Sequence, residues 1–285
     1  MTQDQPPAVL VGLIGAGIRA SRAPALHERE AAEQGLRYVY KLIDLDQLGL
    51  TPSALAELLT AAERMGFAGL NITHPCKQAI LPLLTDLSED ARAVGAVNTV
   101  LFRDGRRMGH NTDWWGFAES FRRGLPGARL DRVVILGAGG AGAAAAHAVL
   151  TLGAQRVCLV DLEIARATEL ADKLSAVFGE GRAVAGADPA AAMGEADGLI
   201  HATPTGMAKY PGLPLPEQLL RPPHWVAEIV YFPLETELLR VAKRIGCRTL
   251  NGGGMAVFQA VEAFRLFTGR AANAERMLRH FASMD

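Results

Sequence analysis

The sequence predicts an α/β protein of two domains, and three observations carry that prediction. Short apolar runs alternate with stretches of helical spacing along most of the chain, the pattern of βα units around a sheet rather than of a helix bundle. One such run, Val133 to Leu136, ends in glycines at Gly137, Gly139 and Gly142, and a second, Arg156 to Val160, closes on Asp161. The third observation is length: 285 residues are long for one hydrophobic core and comfortable for two.

Ala8 to Ile14 is a strand that ends in Gly15-Ala16-Gly17-Ile18. This glycine pair has no third glycine at the offset a dinucleotide loop requires, so a loop for a small ligand is the better reading. Pro24 starts a helix to about Glu33, since a first turn does not need the N–H that proline lacks. Ser21 places a hydroxyl near that helix's positive end, where an anion can sit. Tyr38 to Ile43 is the next strand, and Thr51 is expected to cap a helix over Ser53 to Met65. Phe67 to Ile72 is a strand whose end is crowded with polar residues, Asn71-Ile72-Thr73-His74-Pro75-Cys76-Lys77. In an open α/β sheet the strand ends are where ligands bind. Helices are expected from Lys77 to about Leu84 and from Leu87 to Ala93, then a strand from Gly95 to Phe102. Asp104-Gly105 is a hairpin turn, and the return arm carries Met108 to Asp113. Trp114 to Arg123 reads as a linking helix and Gly124 to Arg129 as a hinge.

The glycine-bearing unit is strand, tight turn, alanine-rich helix, strand and acid, which is the dinucleotide-binding unit of a Rossmann-type fold. Gly137 lets the chain turn, Gly139 lets backbone approach a pyrophosphate, and Gly142 lets the helix lie close. The loop Gly137-Ala138-Gly139-Gly140-Ala141-Gly142 is therefore the expected cofactor cradle, with the pyrophosphate on the helix N-terminus. Asp161 ends the second strand, where a carboxylate accepts from the ribose 2′-hydroxyl of NAD and repels a 2′-phosphate. Leu162 and Glu163 follow it, and Arg166 comes only a turn later, so NAD is expected over NADP. Beyond lie a helix (Ala165 to Phe178), a weak strand (Arg182 to Ala185), a short helix from Asp188-Pro189 and strands over Gly198 to Ala202 and Trp225 to Val230. A helix (Thr236 to Ile245), a last strand (Arg248 to Leu250) and helices over Ala256 to Phe267 and Ala272 to Phe281 complete the chain. Thr203-Pro204-Thr205-Gly206-Met207 is a turn on the expected nicotinamide side, which makes Thr203 and Met207 cofactor candidates, and Asn251-Gly252-Gly253-Gly254 is a glycine turn.

A formal net charge of -1 provides no bulk field toward nucleic acid or a membrane surface. Three scattered cysteines, Cys76, Cys158 and Cys247, form neither a metal spacing nor a disulfide framework, and no signal peptide or transmembrane-length stretch is seen. A cytoplasmic protein with a small-molecule substrate and no metal is expected; the sequence says nothing of oligomeric state.

With these motifs in hand, the chain resembles the shikimate/quinate dehydrogenase family nearly end to end. The resemblance rests on Ser21 to Pro24, Asn71 to Lys77, Gly95 to Thr99, Asn111 to Asp113, Gly137 to Gly142, Thr203 to Met207, and Gly254-Met255 with Gln259. It implies a substrate-binding catalytic domain over residues 1–113 with 255–285 packing back on it, an NAD-binding domain over 114–254, and a cleft between them. It also implies reversible oxidation of a ring hydroxyl to the 3-keto group of dehydroshikimate or dehydroquinate, a step of aromatic amino acid biosynthesis. By the same resemblance Lys77 is the catalytic lysine and Asp113 its partner. Thr73, Asn98 and Gln259 hold ring hydroxyls, Ser21 belongs to the carboxylate loop, Tyr231 lies by substrate and nicotinamide, and Gly254 belongs to the cofactor site.

The chain departs from the family at three places. Ala23 stands where the carboxylate loop usually has a second hydroxyl, with Arg22 or Arg19 as substitutes. Trp114 and Trp115 are bulkier than expected after Asn-Thr-Asp, and Asn251 replaces an aspartate at the glycine turn. The acid ending at Asp161 resembles the NAD-using quinate/shikimate branch, and an aminoshikimate dehydrogenase or a dehydrogenase of another cyclic acid is the alternative.

Hydride transfer from an alcohol carbon to NAD requires a base for the hydroxyl proton. Lys77 can supply it and Asp113 can orient it; a surface ion pair is the plain alternative. His74 and His110 read as loop histidines, Cys76 as an incidental small residue, and the two tryptophans as packing. A nucleotide-sensing protein without turnover is the rival from another class, and retention of both Lys77 and Asp113 argues against it.

Overall fold

The computed structural model describes residues 8–284. The chain divides into two compact units, one running to Thr112 and resuming at Gln259, the other spanning Asp113–Phe258.

The first unit begins β1 (Val9–Gly15), α1 (Ala23–Glu33), β2 (Tyr38–Asp44), α2 (Leu45–Leu48) and α3 (Leu55–Arg64). It continues β3 (Gly69–Ile72), α4 (Cys76–Ala79), β4 (Asp86–Leu87), α5 (Glu89–Val94), β5 (Thr99–Arg103) and β6 (Arg106–His110). Its six-stranded sheet has the order β2-β1-β3-β5-β6-β4. The first three strands run parallel, whereas β5 is antiparallel to both β3 and β6. Asp104 and Gly105 turn that hairpin with φ of 52° and 69°, the left-handed pair that matches strand twist. One face of the sheet is packed by Leu55, Leu59 and Ala62 of α3.

Several local expectations are corrected here. Thr51 does not cap with its hydroxyl, which bonds Ser53 Oγ at 2.7 Å, and Pro52–Ala54 forms a single 3-10 turn ahead of α3. The helix expected from Lys77 to Leu84 ends at Ala79, because Pro82 has no N–H to carry it on; a 3-10 turn, Leu81–Leu83, follows. The helix expected from Leu87 starts two residues later, with Ser88 Oγ accepting from Ala91 N–H at 3.2 Å. It runs to Val94, where Gly95 with φ 69° caps it and delays the next strand to Thr99.

The second unit holds α6 (Asp113–Gly124), β7 (Arg132–Leu136), α7 (Gly140–Thr151), β8 (Arg156–Val160), α8 (Ile164–Phe178), β9 (Ala183–Ala185) and α9 (Pro189–Gly194). Then come β10 (Gly198–His201), β11 (Trp225–Glu228), α10 (Glu237–Ile245) and β12 (Arg248–Leu250). All six strands are parallel, in the order β12-β11-β10-β7-β8-β9. Taken from β7 as the first strand this is the doubly wound 3-2-1-4-5-6 order, read from the other edge, with its switch point beside β7. Strand residues Val134, Leu136, Leu199 and Val226 pack with Leu238, Val241 and Ala242 of α10. The segment 124–129, expected as a hinge, is bonded into this unit: Trp225 Nε1 donates to Arg129 O at 2.8 Å and Arg248 donates to Pro126 O at 2.9 Å. Trp114 meets His147 edge-on and Trp115 meets Phe258 edge-on, so both tryptophans pack.

The chain ends in α11 (Gly253–Thr268) and α12 (Ala274–Ala282). In the first unit, Ala263 and Phe267 of α11 pack against Val11, Leu13 and Tyr40. Gly69 makes room for this, since a Cβ there would fall 2.7 Å from the Phe267 ring. In α1, Glu30 is 1% exposed and faces α12. Arg276 holds its two oxygens at 2.8 and 2.7 Å, and Asn273 N–H and Gln34 Nε2 donate at 2.9 and 2.7 Å. Burial opposes the charge of Glu30, but the donors from Arg276, Asn273 and Gln34 outweigh it and hold the carboxyl below its usual range.

Candidate active site

In the first unit the polar loops after β1 and β3 are laced together. Thr73 N–H donates to Ile14 O at 2.9 Å, and Ala16 N–H donates to His74 O at 3.0 Å. Gly15 must be glycine for this, since a Cβ there would lie 2.3 Å from the Thr73 methyl. The loop's own N–H groups are taken by Asp44 at the end of β2, which accepts from Gly17 at 2.9 Å and Ile18 at 3.0 Å. That is why Gly15 and Gly17 make no phosphate cradle. Ser21 stands just before α1, where its Oγ accepts from Ala23 N–H at 3.3 Å. Arg22 lays its guanidinium 4.9 Å over the Phe281 ring of α12.

Lys77 is half-buried in the short helix α4, and its carbonyl accepts from Val97 N–H at 2.9 Å. Asn98 is 3% exposed. Its Oδ1 accepts from Thr112 N–H at 2.7 Å and from Thr99 Oγ1 at 3.1 Å, and its Nδ2 donates to Thr112 Oγ1 at 2.9 Å. Asn111 Nδ2 donates to Ala96 O at 2.9 Å. Lys77, Asn98 and the run ahead of Asp113 are thus fixed through one set of bonds. Ser21, Thr73, Lys77, Asn98 and Gln259 belong to this unit; Asp113 opens the other, as the first residue of α6, and is buried. Cys76 lies in the core, where burial pushes its thiol up and away from nucleophile chemistry.

In the second unit the glycine loop follows β7 as expected. Gly137 has φ 99°, and a Cβ on it would sit 2.7 Å from Ala202 O. A Cβ on Gly142 would come within 1.9 Å of Gly137 O, so helix and turn touch backbone to backbone. Gly139 faces open space and caps α7 with no side-chain hydrogen bond. First-turn N–H groups with no side-chain cap are what a pyrophosphate needs. Asp161 Oδ2 accepts from Ala138 N–H at 2.8 Å and Oδ1 from Glu163 N–H at 3.0 Å, which points the carboxylate by two backbone bonds. The residues present fit a dinucleotide. Gly254, named for the cofactor, also lies against α6, since a Cβ there would be 2.2 Å from Ser120 Oγ. Met207, Tyr231 and Phe232 are exposed.

One buried pair escaped the sequence reading. His201 and Glu228 end β10 and β11, face each other in the sheet register, and are 0% and 2% exposed. Their signal was a polar residue closing each of two adjacent apolar strands. Among the described residues no three His, Cys, Asp or Glu side chains are grouped as a metal would require, and no helix is long and apolar enough to cross a membrane.

Fold and loop together define a two-domain α/β protein with a Rossmann-type dinucleotide-binding unit. Comparison with known proteins narrows the class. A family model described as the shikimate dehydrogenase substrate binding domain matches residues 13–100, and one for the shikimate 5'-dehydrogenase C-terminal domain matches residues 252–280. Between them, residues 121–219 match the alanine dehydrogenase/PNT C-terminal domain. A shikimate dehydrogenase (NADP(+)) of Streptomyces avermitilis is 61% identical, over 100% of this chain and 97% of that one. A quinate/shikimate dehydrogenase (NAD(+)) of Corynebacterium efficiens is 48% identical over 97% and 99%. The solved quinate dehydrogenase of Corynebacterium glutamicum in complex with NAD superposes with a TM-score of 0.91 at 46% identity, covering 97% of this chain and 99% of that one. The chain belongs to the shikimate/quinate dehydrogenase family, and it is an oxidoreductase.

Proposed function

We propose that this protein reversibly oxidises the ring hydroxyl of shikimate and quinate, with NAD as the hydride acceptor. The observation that carries the cofactor is the charge around Asp161. Arg166, the nearest cation in its sequence neighbourhood, lies 3.9 Å from Asp161 Oδ1 and 2.9 Å from Glu163. Two carboxylates to one guanidinium leave the site negative, which favours a ribose hydroxyl and disfavours a 2′-phosphate. The NADP named for the Streptomyces relative is the competing reading, and the NAD of the two Corynebacterium proteins accords with the charge balance.

The loop 137–142, Asp161, Thr203, Met207 and Gly254 would hold the dinucleotide, whose nicotinamide takes up the hydride from the carbinol carbon. Lys77 receives the hydroxyl proton and Asp113 acts with it in that transfer. Ser21, Thr73, Asn98, Gln259 and Tyr231 hold the cyclic polyhydroxy acid. Asn98 suits the role because its clamped amide has a second N–H to offer a hydroxyl. A residence in the reducing cytoplasm suits the three free cysteines.

Steady-state kinetics with shikimate, quinate and aminoshikimate, each with NAD and NADP, test this reading. Turnover of the first two with NAD supports it. Turnover confined to the amino acid analogue, or to NADP, moves the assignment to a sister activity. Binding without turnover moves it to a sensor.

A further inference from the structure

In the first unit β3 and β5 run antiparallel with Asn71 opposite Thr99, and Asn98 stands just before Thr99. Asn71, Asn98, Thr99 and Thr112 form one buried hydrogen-bonded set, each 6% exposed or less. Amides and aliphatic hydroxyls do not titrate, so the polarity of the set follows from the backbone groups at its two ends. At one end the Thr112 N–H can only donate, so the Asn98 side-chain atom 2.7 Å from it is Oδ1. At the other the Asn98 carbonyl can only accept, so the Asn71 side-chain atom 3.2 Å from it is Nδ2. Tyr40 agrees with this, its hydroxyl donating to Asn71 Oδ1 at 2.8 Å.

Counting protons inward from these ends completes the set. Asn71 Nδ2 also donates to Thr99 Oγ1 at 2.9 Å, and Thr99 turns its own proton to Asn98 Oδ1 at 3.1 Å. Asn98 Oδ1 thus takes one proton from the Thr112 N–H and one from the Thr99 hydroxyl, which uses both lone pairs of the amide oxygen. Nδ2 gives one N–H to Thr112 Oγ1 at 2.9 Å and has the other to give.

We infer that Asn98 meets the substrate only as a donor, and that it selects an oxygen over an amine because the ring position it faces must carry a lone pair. This rests on the reading above, in which Asn98 holds a ring hydroxyl. A hydroxyl or keto oxygen accepts from Asn98, and a hydroxyl keeps its own proton for another partner. An ammonium has no lone pair and would set its protons against that of the amide. The fixed polarity therefore assigns the substrate to the hydroxy acids and excludes their amino analogue at that ring position.

Calorimetry on the full chain at pH 7 compares shikimate with the analogues in which each ring hydroxyl in turn is an amine. At one ring position the hydroxyl should bind at least about tenfold tighter than the ammonium. There Asn98→Asp should reverse the preference: the carboxylate keeps an acceptor for the Thr112 N–H and puts a lone pair where the N–H was, and Thr112 can turn its hydroxyl proton toward it. Asn98→Ala should shrink the preference several-fold by weakening the hydroxyl alone, which separates the donor from repulsion by neighbouring cations. On the unaltered protein, raising the pH past the amine's own pKa supplies the lone pair and should narrow the gap, so the test survives a variant that does not fold. Equal affinity for amine and hydroxyl at every position overturns the inference. So does a ratio that Asn98→Ala leaves unchanged, or a gap that stays constant with pH. Shikimate binding in those cases keeps the dehydrogenase reading intact. If shikimate and quinate neither bind nor turn over, that reading falls and the inference with it.

Discussion

Asp161 accepts the backbone N–H of Ala138 at 2.8 Å, so the residue expected to choose the cofactor also anchors the loop that cradles it. Asp161→Asn keeps an acceptor for Ala138 and removes the charge, which separates the two roles. It should raise kcat/KM with NADP relative to NAD by about tenfold, the effect of roughly 1.4 kcal/mol. Kinetics with both cofactors check this; an unchanged ratio would mean that the preference is set elsewhere. Asp161→Ala should do more harm, since it also releases the loop.

Lys77→Ala should lower kcat by about 10²–10⁴-fold, the usual contribution of a general acid–base group. Affinity for NAD should not change, because the loop from Gly137 to Gly142 lies in the other unit. Asp113→Asn should lower kcat similarly. A Lys77→Ala enzyme with near-normal kcat would end the assignment.

Ala23 gives a separate test of substrate binding. The structure engages Arg22 with Phe281 and leaves Ser21 as the hydroxyl of this loop. Ala23→Ser should therefore lower KM for shikimate several-fold with little change in kcat, since carboxylate binding contributes equally in the ground and transition states. A KM that stays the same or rises would place the carboxylate elsewhere.

Acid stability turns on His27. It is fully buried among Tyr38, Tyr40, Phe264 and Phe267, with Nδ1 3.0 Å from the Tyr38 hydroxyl. Burial pushes its pKa from 6.5 down to about 3. Between those values the unfolded chain binds a proton that the folded one refuses. The contribution is therefore complete above pH 6.5 and lost as pH falls toward 3, by up to about 1.4 kcal/mol per pH unit. Urea unfolding at pH 7 and pH 5 should show a smaller acid loss for His27→Gln than for the unaltered protein. Equal losses would show that other groups set the acid limb.

The sequence carried the glycine loop in full because each glycine's constraint is local: a positive φ at Gly137, and at Gly142 a helix pressed on the turn five residues back. It was silent on Asp44, His201 and Glu228 for the opposite reason. Asp44 acts on a loop 26 and 27 residues away, and His201 meets Glu228 across 27 residues, only because particular strands pair. Thr51 and Pro82 show a finer limit. The missing N–H of Pro82 is a local signal that the helix expected to Leu84 passes over, whereas whether the Thr51 hydroxyl turns to the backbone or to Ser53 is decided by the turn it lands in. In the candidate site, residue types were legible, while the bonds that clamp Asn98 onto Thr112 were not.

The clasp between Glu30 and Arg276 spans 246 positions, which makes the first unit the last to be completed on the ribosome. Glu30 emerges early, yet the guanidinium that neutralises it is translated near the end of the chain. The second unit, Asp113–Phe258, is continuous and has all its partners beforehand. Synthesis should thus run against the usual order in which the N-terminal domain matures first. Nascent chains stalled with Phe258 just clear of the exit tunnel should resist protease in their second unit while remaining cleavable in the first, and resistance should spread to the first unit once α12 has also emerged. Early protection of the first unit would refute this order.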